Sequence, residues 1–263
     1  MSEKKLQSPV APSAAHIYVW LAYYETIVDE RLLAAYREFL SEPERAQAER
    51  FYFARDRHRY LVTRALVRTV LGRLLDLPPA ELRFGANEHG RPHLLDAAGS
   101  AGLHFNLSHT RGLVALAVSR DRELGIDVEN TRERNPSLDI AERFFAPVEA
   151  SELRAQPEHR QQQRFFEYWT LKESYIKARG MGLAIPLDKF HFRFPNHATI
   201  ELSVDRELGD RAERWCFYRA SPSTDHVLAL CAERTADEPQ MHFLATVPLQ
   251  SEEPLDVPIV ARS

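Results

Sequence analysis

Two pairs of charged residues in this chain are spaced so that chemistry could use them. Asp127 and Glu129 stand two apart in Leu124-Gly125-Ile126-Asp127-Val128-Glu129, a stretch that reads as a strand, so their carboxylates share a face. Glu173 and Lys177 stand four apart in Trp169-Thr170-Leu171-Lys172-Glu173-Ser174-Tyr175-Ile176-Lys177, which reads as a helix, so both leave one side of it. Two like charges on one half-buried strand face repel unless something positive neutralises them. The usual agents are Mg2+, which prefers carboxylate, water and phosphate oxygens, or a basic side chain. The bland alternatives are a solvated strand face and an i,i+4 surface pair worth about 0.2–0.5 kcal/mol. The surface-pair reading leaves unexplained why Glu173 and Lys177 sit among Trp169, Tyr175 and Ile176.

A third cluster lies in Phe105-Asn106-Leu107-Ser108-His109, where a strand meets a turn. Ser108, His109 and Asn106 make a polar tip on an apolar strand, suited to an anion such as phosphate. A hydrolytic Ser-His dyad fits poorly, because adjacent strand residues point oppositely and no G-x-S-x-G elbow exists. Arg91, in Gly90-Arg91-Pro92, and the run Arg55 to Arg59 could supply guanidinium forks for phosphate. Most of that run is accounted for by a solvated helix face. There is no Walker A motif, no Rossmann glycine fingerprint and no Cys/His spacing for zinc.

Three readings follow from the residues alone. The first is a Mg2+-dependent enzyme acting on a phosphoanhydride. The second is a Mg2+-dependent nuclease with an Asp…Glu-x-Lys site. That site needs its Glu and Lys two apart on a strand, and a net charge of -4 offers no basic stripe for DNA. The third is a non-catalytic nucleotide-binding protein, which has less reason to carry three carboxylates near one anion.

The elements that must position these groups are legible in the pattern. His16 to Ala22 reads as a strand, and Asp29 to Leu40 as a helix with Leu32, Leu33, Tyr36 and Leu40 on one side. Ser41 with Glu44 predicts a capping box opening another helix. A long helix is expected over about Asp56 to Leu75, ended by Pro78 and Pro79. Strands are expected at Leu82 to Phe84, His104 to Ser108, Gly112 to Ser119 and Leu124 to Glu129. The helix bearing Glu173 is expected over about Arg164 to Arg179, after a Gln-rich loop or solvated face, with Gly180 and Gly182 as its stop. Further strands are expected at Phe190 to Phe194, Thr199 to Val204, Arg214 to Arg219 and His226 to Ala232. Matched strand, helix, Pro and strand landmarks in the two halves suggest an internal repeat with a cleft between the copies.

At 263 residues the chain can bury one large core or two smaller ones. The first residues are polar and lack the apolar core of a signal peptide, and the longest apolar run, Leu113 to Val118, is too short to span a bilayer. Cys216 and Cys231, without a secretory signal, point to a reducing, cytoplasmic setting and no disulfide framework.

Taken together, Gly90-Arg91-Pro92, Phe105 to His109, Gly125 to Glu129, Arg143-Phe144-Phe145-Ala146-Pro147-Val148-Glu149 and Trp169 to Lys177 resemble the motifs of the phosphopantetheinyl transferase family. The likeness is to its large, two-halved, surfactin-synthetase-activating type. The resemblance implies an α+β fold of two similar halves, each a small antiparallel sheet with a long helix. A pseudo-twofold would relate them, with the active site in the cleft. The expected divisions are a disordered lead (1–15), an N-terminal half (16–121), a C-terminal half (122–234) and a C-terminal tail (235–263). The implied reaction is Mg2+-dependent transfer of the 4'-phosphopantetheine arm of coenzyme A to a serine of an apo acyl or peptidyl carrier protein, releasing adenosine 3',5'-bisphosphate. Asp127, Glu129 and Glu173 would bind Mg2+. Arg59, Arg91, Ser108 and His109 would hold the phosphates and nucleotide, and Lys177 would balance the diphosphate and the leaving group. Glu173 is the expected base, with Glu129 acting through a water as the alternative. The family often has Lys where Arg91 stands, and its basic positions before the long helix read here as Glu44, Arg45 and Gln47. No nucleic-acid or membrane partner is implied. A chain that supplies both walls of the cleft suits a monomer.

Overall fold

The computed structural model describes residues 12–95, 100, 102–133 and 138–263. Within them the chain runs β1 (His16–Ala22), α1 (Glu30–Phe39), α2 (Glu42–Glu49), α3 (Ala54–Leu75), β2 (Arg83–Ala86), β3 (Pro92–Leu95), β4 (Leu103–Thr110), β5 (Leu113–Arg120) and β6 (Leu124–Asn130). It continues through α4 (Leu138–Phe144), α5 (Pro147–Ala155), α6 (Glu158–Arg179), β7 (Phe190–Asn196), β8 (Thr199–Val204), β9 (Trp215–Ser223) and β10 (His226–Glu233). It ends in β11 (Gln240–Val247), β12 (Ser251–Pro254) and β13 (Ile259–Arg262). Of the expected disordered lead, residues 1–11 lie outside the described residues; Ser13 bridges to His16 at the foot of β1.

The strands form two sheets, ordered β12-β11-β1-β5-β4 and β6-β10-β9-β13-β8-β7, with β2 and β3 as a separate hairpin. The triplets β1-β5-β4 and β6-β10-β9 have the same internal order, and each is covered on its outer face by one long helix, α3 or α6. β1 shows why. Ile17, Val19 and Leu21 face the other sheet, where they pack with Ile126, Val128 and Leu230. Tyr18, Trp20 and Ala22 face the other way, against Ala65 and Leu66 of α3. A strand apolar on both faces must be covered on both. On the far side, Phe165, Leu171 and Tyr175 of α6 pack on Phe190, Phe192 and Phe217. The resulting layers are helix, sheet, sheet, helix.

Local signals account for the helix ends. The Asp29 carboxylate accepts from the N–H groups of Arg31 and Leu32 at 2.8 and 3.1 Å, capping α1. Glu44 accepts from the Ser41 N–H at 2.8 Å, the Glu half of the expected capping box. α3 stops at Leu75 because Asp76 turns left-handed at φ +54° and Leu77 N–H bonds back to Gly72. The stop therefore precedes Pro78 and Pro79, which open a short 3-10 turn at Pro79–Glu81.

Three expectations change. α6 begins at Glu158 rather than near Arg164, so the Gln-rich stretch is its solvated first turns. The hairpin partner β3 is not among the expected strands. The segment from 235 onward is not a tail laid over the surface. β11 pairs parallel with β1, and β13 enters the second sheet beside β9 and β8. Its run Met241 to Val247 has strand character, buried at Phe243, Leu244 and Thr246, which the flanking Pro and Glu residues disguise. Both sheets are thus mixed rather than purely antiparallel. Among the described residues no helix is long and apolar enough to cross a membrane.

Candidate active site

Gly125 sets the site by what it lacks. A Cβ there would lie 2.1 Å from the Ser174 carbonyl oxygen and 2.3 Å from the Ala178 nitrogen, both backbone atoms of α6. Only glycine lets β6 and α6 approach this closely. The contact brings Asp127, two residues on along the same strand face, beside Glu173 and Lys177.

The two sheets meet here edge to edge through a ladder of side chains. Asn106 Oδ1 accepts from Ile126 N–H at 2.9 Å, Ser108 Oγ from Val128 N–H at 3.3 Å, and Thr110 Oγ1 from Asn130 N–H at 3.1 Å. Alternate residues of β4 thereby satisfy alternate amides of β6, since side chains on one face recur every second residue. The polar tip expected at Asn106 and Ser108 is this ladder, and Thr110 extends it.

Asp127 is 4% exposed. Its Oδ1 accepts from Ser108 Oγ at 2.8 Å and from Lys177 Nζ at 2.6 Å, and Lys177 also donates to Ser108 at 3.0 Å. Lys177 therefore pairs across to β6 rather than along its own helix. The other carboxylate oxygen, Oδ2, is buried with no hydrogen-bond partner. Thr110 donates to Glu129 at 3.4 Å. Burial pushes the Glu173 carboxyl above its ordinary value and the Asp127 charge pushes it further, with Lys177 opposing. Asn106, Glu173 and Lys177 line a cleft of about 270 Å3 with Arg91 and Leu107.

A buried carboxylate oxygen without a partner, beside a second carboxyl that resists ionising, fits a hard divalent cation. Among the described residues no three of His, Cys, Asp and Glu gather as a metal cluster. Lys177 stands on Asp127 and supplies the positive charge there.

The remaining expected residues are placed unequally. Ser108 is at the centre and buried. His109, next along β4, points the opposite way, as neighbours on a strand do. Desolvation by its surroundings holds its pKa below the usual histidine value, and the Arg59 guanidinium lowers it further. Arg59 also pairs with Asp56 one turn earlier at 3.2 Å. Arg91 borders the cleft but is largely committed to the protein. Its Nη1 donates to Ala178 O at 2.9 Å, and its Nη2 donates to Leu124 O at 3.2 Å and lies 2.9 Å from Glu123 Oε2.

The Glu123 contact carries a pH signature. The His104 hydrogen bond and the Arg91 charge hold the Glu123 carboxyl down at about 2, against partial burial. A depressed carboxyl contributes stability that is present above its unfolded value of about 4.5 and is lost as pH falls toward about 2. Across that window the parent melting temperature should therefore fall more steeply than that of Glu123→Gln, with solvent screening limiting the difference. Parallel melting curves would show that the contact contributes nothing.

Lys172 lies within the motif but outside the cleft. It is fully buried, with Nζ 2.7 Å from Glu149 Oε2, and it donates to the carbonyls of Leu187 and Phe190 at 2.7 and 2.8 Å. Glu149 in turn accepts from Ala146 and Phe192 N–H at 3.1 and 2.8 Å. The partners Glu123, Glu149 and Thr110 were not singled out from the sequence. For Thr110 a signal existed, the alternation Asn106, Ser108, Thr110.

Comparison with known proteins gives the family. Residues 123–231 match the model of the 4'-phosphopantetheinyl transferase superfamily, and residues 28–121 match that of the 4'-phosphopantetheinyl transferase N-terminal region. A 4'-phosphopantetheinyl transferase of Bacillus subtilis is 35% identical over 207 residues, covering 78% of this chain and 85% of that protein. The 4'-phosphopantetheinyl transferase Sfp of Bacillus subtilis (strain 168) is 36% identical over 200 residues, covering 75% and 84%. HetI of Nostoc sp. is 42% identical over 145 residues, covering 55% and 61%. The chain belongs to the 4'-phosphopantetheinyl transferase superfamily and is an enzyme of that class.

Proposed function

We propose that this chain transfers the 4'-phosphopantetheine arm of coenzyme A to a serine hydroxyl of an apo carrier protein, with Mg2+, releasing adenosine 3',5'-bisphosphate. The observation that carries the reading is Asp127, buried in the cleft wall with one oxygen on Lys177 and the other unpartnered. The names of the relatives support the transfer itself.

In the reaction the serine oxygen forms a bond to the β-phosphorus of coenzyme A, the phosphoanhydride P–O bond breaks, and the serine proton passes to a base. Such transfers depend mostly on positioning and charge neutralisation. Asp127, Glu129 and Glu173 would hold Mg2+, whose charge would offset that of the diphosphate. Glu173 takes the serine proton at a carboxylate oxygen. The base must stand within hydrogen-bond reach of that hydroxyl. Glu129 acting through a water is the alternative base. Lys177, released from Asp127 as the site fills, faces the diphosphate and the charge that develops on the leaving bisphosphate. Ser108 keeps Asp127 and Lys177 in register and would join the phosphate contacts. Arg91 offers only the N–H groups left over from its protein contacts, so its first effect is to tie the β2–β3 turn to β6 and α6. His109 and Arg59 hold the nucleotide side.

The proposed organisation is two halves, 16–121 and 122–234, related by a pseudo-twofold, each giving one wall of the cleft. The repeated triplet order and the paired long helices support it. One chain then suffices as a monomer. Cys216 and Cys231, both buried and free, suit a reducing cytoplasm.

The test is incubation with coenzyme A, Mg2+ and a panel of apo carrier proteins from fatty-acid, polyketide and peptide synthesis, read by mass spectrometry. The phosphopantetheine mass should appear on at least one carrier and vanish with EDTA. No addition to any carrier would overturn the reading. His109→Ala should weaken coenzyme A binding about tenfold, or ~1.4 kcal/mol, with carrier affinity unchanged. An unaltered coenzyme dissociation constant would remove His109 from the nucleotide site.

A further inference from the structure

A second polar cavity, of about 190 Å3, lies over the first turns of α6, where β7 and β9 pass beneath. Arg160, Arg164, His197 and Arg219 line it, with Gln163 and one carboxylate, Glu167. It shares no residue with the cleft that holds Glu173 and Lys177.

Its charges do not balance locally. Glu167 Oε2 lies 3.2 Å from Arg164 Nη1 and 3.0 Å from Arg219 Nη1, so one carboxylate oxygen answers two guanidiniums. Glu167 Oε1 accepts from Gln163 at 3.3 Å. The next carboxylate, Glu152, is 3.7 Å from Arg164 and is already engaged by the Tyr168 hydroxyl and by Gln156. Arg160 adds to the positive side. Arg219 is 9% exposed, and its Nη1 is buried without an aligned hydrogen bond despite the nearby charge of Glu167. A buried donor left so is costly unless a further acceptor arrives. Arg164 and Arg219 both lie over the Phe194 ring, at 4.3 and 5.3 Å, which orders their planes in advance. Burial lowers the Arg219 pKa and the Arg164 charge lowers it further, with Glu167 opposing.

We propose that this cavity binds a tetrahedral oxyanion, inorganic phosphate or a phosphomonoester, through Arg160, Arg164 and Arg219, separately from the catalytic cleft. Preordered guanidiniums match phosphate oxygens in pairs, and the start of a long helix favours negative charge.

The experiment is thermal unfolding against added inorganic phosphate, with ionic strength held constant by sodium chloride. The parent, Arg160→Gln, Arg219→Gln and Lys177→Ala are compared. Phosphate should raise the parent melting temperature in a saturable way, as a ligand of the native state does. Lys177→Ala should keep that response. Arg160→Gln and Arg219→Gln should need at least about tenfold more phosphate for the same shift. Arg160 is exposed, so its variant folds even if Arg219→Gln does not, and its transfer rate should equal the parent's. A parallel series with phosphoserine separates the sources: a tighter response assigns a phosphomonoester, an equal or weaker one inorganic phosphate. No saturable shift in the parent, an undiminished shift in Arg160→Gln, or a shift lost only in Lys177→Ala would overturn the proposal.

Discussion

Asp127→Asn and Glu173→Gln should each lower the rate of phosphopantetheine transfer by at least about 10²–10³-fold, the scale at which one preorganised electrostatic group contributes to a transition state. The two variants should differ in stability. Burial and the Asp127 charge both resist ionisation of Glu173, so an amide of the same shape removes a disfavoured charge. Glu173→Gln should therefore melt no lower than the parent at neutral pH. Asp127→Asn leaves Lys177 without the anion at 2.6 Å, and its melting temperature should fall. Transfer measured by carrier mass and melting followed by circular dichroism give both readouts. Parent-level transfer in either variant would sink the proposed site, whereas lost transfer with a collapsed fold in Glu173→Gln would sink only this account of its burial.

The Lys172–Glu149 pair should show the largest effect on stability. Both side chains are wholly buried, and burial pushes the Glu149 carboxyl up and the Lys172 ammonium down in pKa. Each is tolerated because the other, and two backbone groups, complete its hydrogen bonds. Removing one partner strands the other. Glu149→Ala or Lys172→Met should each cost about 3–5 kcal/mol in urea unfolding. The double variant should lose clearly less than the sum of the two, because no buried charge remains unanswered. Additive losses would mean that the two charges are not coupled.

This pair also shows where sequence reasoning reached its limit. The helical pattern places Lys172 about a hundred degrees from Glu173, which says that the two side chains diverge but gives Lys172 no role. Its partner was not legible, since Glu149 lies 23 positions earlier and only the packing of α5 against α6 brings them together. β1 was read with its observed bounds because a strand apolar on both faces has no rival pattern. The start of α6 is not legible because Gln161, Gln162 and Gln163 have no apolar period before Phe165, which leaves a loop and a solvated helix face equally open; the structure has the helix face. The strands after 235 were missed because pairing with β1 is a long-range event that no local propensity encodes. The carboxylates and Lys177 were legible as chemistry from spacing alone. That Lys177 would cross to Asp127 rather than stay with Glu173 depended on the close approach of β6 and α6, for which Gly125 was only a weak hint.

The side-chain ladder between β4 and β6 has a further consequence for how the two sheets can move. Its three rungs join residues at one constant offset, 106 to 126, 108 to 128 and 110 to 130. Rungs recur every second residue, about 6.6 Å along a strand. A smaller slide leaves the acceptors opposite no amide, and a full step carries Asp127 away from Ser108. The joint therefore behaves as a detent rather than a spring. Sliding of one sheet along the other is quantised, and substrate entry must be accommodated by the turns and helices around the cleft, not by shear at its floor.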